Sequence, residues 1–128
     1  MNILFPSNTS GEYIELVDLK RFDDKSGYGA VLRVQSRNFN AEIPFYFERA
    51  CFEEFCQAVL ALEKIHVGKA VLKPFYDPEF ISIEMQNNGH LLVSGELFEH
   101  SEIPQHLKFQ FVSDQSQLKR LIEDLANV

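Results

Sequence analysis

The chain twice changes its hydrophobic period part-way along a segment. Leu107, Phe109 and Phe111 alternate with Lys108 and Gln110, whereas beyond Ser113 and Asp114 the apolar residues fall at Leu118, Leu121, Ile122 and Leu125. Earlier, Ala41, Ile43, Phe45 and Phe47 alternate, and Phe52, Phe55, Cys56, Val59 and Leu62 follow at helical spacing. A period of two puts side chains on one face of a strand, and a period near 3.6 puts them on one face of a helix. Each segment therefore predicts a strand that runs into a helix, with the helices over roughly 49–66 and 114–126. Glu53 and Glu54 are expected in the first turn of the earlier helix and Lys64 in its last, matching the helix dipole, with Gly68 as its stop. Asp114 can cap the later helix, with Gln117 completing a capping box, or Ser113 with Ser116 in a second frame.

The rest of the chain reads mainly as strands. From Tyr13 to Lys20, Tyr13, Val17 and Leu19 would line one face and Ile14 and Leu16 the other, so that strand is expected to be covered on both sides. Ala30, Leu32 and Val34 alternate with Val31, Arg33 and Gln35 between turns at Asp23 to Gly29 and Ser36 to Asn40. Pro44 lacks an N–H and places its strand at an edge or a bulge. A short strand is predicted from Lys69 to Lys73, and Ile81, Ile83 and Met85 alternate with Ser82 and Glu84. Asn88-Gly89 marks a tight hairpin turn with positive φ at both residues. It leads into Leu91 to Phe98, where Gly95 suggests a bulge. Strands joined by hairpins give an α+β fold: a largely antiparallel sheet of about six to eight strands packed with two helices, in one domain over residues 1–128. The chain has two halves, each a run of strands closed by a helix, and such a plan predicts one curved sheet with both helices on one face.

Composition narrows the function classes. A hydrophobic content of 45% with 24% charged residues suits a globular protein. Twelve phenylalanines and no tryptophan point to core filling, since a phenyl ring buries a large area without a polar atom to satisfy. The net charge of −7 argues against a nucleic-acid binder or a surface that docks on anionic lipid, and leaves a basic partner as the electrostatic match. Cys51 and Cys56 lie about 140° apart around a helix with Cα atoms roughly 8 Å apart, too far for a disulfide. Two unpaired thiols suit a reducing compartment. "MNILFPSNTSG" lacks the basic and apolar regions of a secretory signal, and no window reaches the length of a membrane span. A cytoplasmic protein is expected, either monomer or homodimer.

The search for chemistry yields few candidates. "ELFEHSEIPQH" gathers Glu96, Glu99, His100, Glu102 and His106, a donor set that could hold zinc or a harder metal if the segment converged. A solvated acidic loop explains the same residues. Cys56 lies on an apolar helical stripe, where a thiol acts as a small core residue, and Cys51 follows Arg49 at a helix start. No phosphate-binding glycine loop or nucleophile elbow is present. No catalytic residue, metal or cofactor is therefore assigned.

"FEEFCQAVLAL", "GKAVLKP", "FISIEMQNNGHLLVSGEL" and "LKFQFVSDQSQLKRLIEDL", in that order, resemble the WapI-like family of small bacterial proteins. The matching features are Phe52 and Phe55 on the helix, the Asn88-Gly89 hairpin before "VSG", and "DQSQL" opening the last helix. The resemblance implies an immunity protein that binds a toxin in the cytoplasm and needs no catalytic residue. An acidic surface would suit a basic toxin domain, and Asp77, Glu79, Glu96, Glu99 and Glu102 are the expected contacts. A secretion-type chaperone or adaptor is the alternative, and it requires a large exposed apolar patch or a two-fold interface. A small metal-dependent enzyme on the Glu96 to His106 segment would require His100 and His106 to converge.

Overall fold

Among the described residues, pairing runs between strands adjacent in sequence, so each half of the chain makes its own antiparallel meander. The structure, a computed structural model, describes residues 1–8, 11–75 and 78–128. The first sheet contains β1 (Ile3–Pro6), β2 (Tyr13–Arg21), β3 (Gly27–Ser36) and β4 (Phe39–Glu48) in that order, and α1 (Arg49–Ile65) follows. The second contains β5 (Lys69–Leu72), β6 (Phe80–Met85), β7 (His90–Glu99) and β8 (Gln105–Asp114). A 3₁₀ turn (Gln115–Gln117) leads into α2 (Leu118–Ala126).

The α+β class, the eight antiparallel strands and the two helices match the sequence reading, but there are two four-stranded sheets where one curved sheet was expected. The reason lies at the outer edge of β4. Tyr46 turns its carbonyl away from β3 and accepts the Phe75 N–H at 2.9 Å. The β3–β4 register is unbroken, so Pro44, two residues earlier, turns its backbone to the same edge. That edge lacks a donor where a continuous ladder would need one. Pro44 thus marks an edge strand, and the strand carries no bulge.

Apolar faces of both sheets and both helices meet in one core. Ile3, Phe5, Ile14, Leu16 and Leu32 from the first sheet surround a void of about 20 Å³ together with Ile81 and Ile83 from the second, Phe55 from α1, and Leu121 and Leu125 from α2. Phe45 and Phe47 are fully buried, and the Phe47 ring lies 5.7 Å from those of Tyr28 and Phe52, which are 4.6 Å from each other, so the three form a triangular aromatic cluster.

Local departures from the sequence reading each have a cause. β2 is covered on one face only, because a bulge between Val17 and Lys20 inserts Asp18 at φ 53° and turns Leu19 inward beside Ile14 and Leu16. Gly95 sits in continuous register between Ile81 and Phe109, so there is no bulge there. Instead, a Cβ at Gly95 would lie 2.6 Å from the Phe109 ring and 2.6 Å from the Phe80 carbonyl oxygen. In the β6–β7 hairpin only Gly89 has positive φ, at 81°, and its N–H closes on the Gln86 carbonyl at 3.3 Å. This is a three-residue loop with a left-handed glycine, and the two-residue turn was the wrong reading.

No acid occupies the first turn of α1; Glu53 falls one turn later and pairs with Arg49 at 3.6 Å. The Arg49 N–H is taken by the Ser26 carbonyl at 3.0 Å. Lys64 does sit in the last turn, and His66 rather than Gly68 terminates the helix in the left-handed region. Asp114 accepts the Ser116 N–H at 2.9 Å. Gln117 does not close a capping box, because its amide donates to Asn8 Oδ1 at 3.1 Å.

Candidate functional site

β4 alternates apolar residues inward and Glu42, Pro44 and Tyr46 outward, and its outer edge shares a groove with the far end of β7. This groove, of about 610 Å³, is lined by Glu42, Ile43, Pro44 and Tyr46 on one side and Glu79, Phe98, Glu99 and His100 on the other. A neighbouring hollow of about 510 Å³ shares Glu42, Ile43, Phe98 and Glu99 and extends past Phe39 and His106. Among the described residues, neither lining includes a lysine or arginine. The Arg33 guanidinium on β3 bridges Glu42 at 3.2 Å and Glu15 at 3.5 Å.

Several polar contacts shape this groove. Glu79 is only 2% exposed; its Oε1 accepts the Phe98 N–H at 2.8 Å and lies 3.4 Å from His100 Nε2. A carboxylate that deep is tolerable only because donors meet it. The His106 ring stacks flat on Phe98, with centroids 4.2 Å apart and planes 6° apart. Its Nε2 lies 3.6 Å from Glu96, whose other oxygen is 3.7 Å from Lys108 Nζ.

The acidic residues singled out from sequence thus have different surroundings. Asp77 lies outside the described residues. Glu79 is a correction: the expected surface acid is buried, because it satisfies the backbone of β7 from beneath. Glu96 is half-buried and shared between His106 and Lys108, while Glu99 and Glu102 are exposed. His100 and His106 go to different glutamates instead of converging on one point. Among the described residues, no group of three or more His, Cys, Asp or Glu side chains could hold a metal ion. Burial pushes the Cys56 thiol up to about 11, with the charge of Glu53 adding to the effect, which is the reverse of what a nucleophile needs. Cys51 Sγ donates to the Lys73 carbonyl at 3.4 Å. No described helix is long and apolar enough to cross a membrane.

Residues 7–128 match the description "Immunity protein WapI-like family". The chain belongs to the WapI-like immunity protein family. No curated protein sequence matches it. Among solved structures, a chain from "Crystal structures of trypanosoma bruciei MRP1/MRP2" superposes with a TM-score of 0.56, over 99% of this chain and 81% of that one, at 9% identity. At that identity the likeness is one of fold alone.

In this WapI-like protein two of the acids singled out from sequence, Glu79 and Glu99, line the groove, and the residues of its other wall were not singled out. Glu42, Ile43, Pro44 and Tyr46 belong to the other sheet and contribute no polar motif. The available signal was Pro44 together with an aromatic, Tyr46, on the polar face of an alternating strand.

Proposed function

We propose that this protein neutralises a toxin domain by binding it directly in the cytoplasm, transforming no substrate itself. The observation that carries this reading is the WapI-like immunity family match over residues 7–128. The net charge of −7 supports a basic partner, since a field of opposite sign speeds encounter and disfavours wrong partners. The contact surface we assign is the acidic end of the second sheet, with Glu99 and Glu102 exposed and Glu96 beside them.

The test is co-expression with the product of a toxin gene found beside its own. Survival, together with co-purification of a stoichiometric complex, is expected. Lethality that persists despite folded, abundant protein would sink the proposal. Glu99→Lys combined with Glu102→Lys is expected to weaken the complex at least tenfold, measured by calorimetry, mainly through slower association, and to flatten the dependence of association on salt.

A further inference from the structure

We propose that the groove along the outer edge of β4 is a socket for one cationic side chain of the partner polypeptide, an arginine or lysine flanked by apolar residues. This deepens the immunity reading and rests on it for the partner's identity. Three features of the groove select that occupant.

The first is charge. Glu42, Glu79 and Glu99 line the groove without any lysine or arginine among the lining residues, and Arg33 reaches only Glu42. A carboxylate as enclosed as Glu79 attracts a cation more strongly than one in open water, because the surroundings screen it less. Its Oε1 accepts the Phe98 N–H and lies 3.4 Å from His100 Nε2, which holds the carboxylate in place at the groove wall.

The second is apolar contact. Tyr46 is 42% exposed, and Phe98 lies across from it. Aromatic rings lining the same groove as a carboxylate suit a guanidinium or an ammonium on its aliphatic stem.

The third is the backbone. A strand added to β4 would lose a hydrogen bond at Pro44, so an occupant is read through its side chains rather than through a ladder.

The test titrates the full ¹⁵N-labelled chain with the blocked peptide Ac-Phe-Arg-Phe-NH₂ and, separately, with its Gln and Glu counterparts, followed by amide NMR. The expected result is saturable shifts confined to Glu42, Ile43, Tyr46, Phe98, Glu99 and His100, with the Gln peptide about tenfold weaker and the Glu peptide inert. Glu99→Lys, an exposed substitution, should weaken the arginine peptide by about tenfold. Glu79→Gln should do the same while keeping a dispersed spectrum, and Glu99→Lys decides the matter if Glu79→Gln does not fold. Shifts elsewhere, equal binding of all three peptides, or a concentration-dependent dimer that fills the groove would overturn the proposal. No toxin enters this experiment. Peptide binding without cellular protection therefore counts against the immunity role alone, and protection without peptide binding counts against the socket alone.

Discussion

Gly95 and Cys56 make opposite demands on their surroundings. Gly95 is where β7 comes close to both neighbours, with the Phe80 carbonyl on one side and the Phe109 ring on the other. Backbone cannot move aside as a flexible side chain can, so Gly95→Ala should cost about 1–3 kcal/mol, read as a lowered denaturation midpoint. Cys56 is half-buried, and desolvation holds its thiol at about 11 against a usual 9.0. The unfolded chain ionises this thiol near the usual value and the folded chain does not. Raising the pH from about 9 to about 11 therefore favours unfolding. Melting curves across that window should fall less steeply for Cys56→Ser than for the parent chain. At this scale the sequence was legible for Cys56, because its helical spacing put the thiol on the apolar stripe. It was misleading for Gly95, because a glycine within a strand signals either a bulge or a close approach and only the neighbours decide which.

At the scale of elements, the long periodic segments were legible and the short or interrupted ones were not. α1 and the strands on either side of it follow from their spacing, because burial on one face imposes the period. β1 was missed: only Ile3 and Phe5 point inward over its four residues, and Pro6 closes the pattern. In β2 a single bulge at Asp18 shifts the phase, which a fixed period of two cannot follow. The register of α2 is testable by paired truncation. Leu121 is 3% exposed and Ile122 only partly buried, so Leu121→Ala should cost about 2–5 kcal/mol, and Ile122→Ala distinctly less, in chemical denaturation.

For the whole molecule, the division into two halves was visible in the repeated strand-to-helix switch, while the relation between the halves was not. Which sheet edges face each other depends on contacts between residues far apart in sequence, such as the Ser113 hydroxyl of β8 with the Pro6 carbonyl of β1. Hydrophobic period carries no information at that range. Of the acidic candidates, Glu79 and Glu99 line the groove, and the double substitution Glu99→Lys with Glu102→Lys tests the exposed acids at this end of the second sheet together.

Pro44 has a further consequence for behaviour at high concentration. The outermost strand of a sheet offers unpaired amides that can recruit another molecule and start fibrillar growth, and a ring without an amide proton interrupts that recruitment. Pro44→Val would restore the missing donor on a strand that already alternates Ala41, Ile43, Phe45 and Phe47. The variant should scatter light and bind thioflavin at concentrations where the parent protein stays clear. One imino acid in the middle of β4 would then separate a dispersed population from a polymerising one.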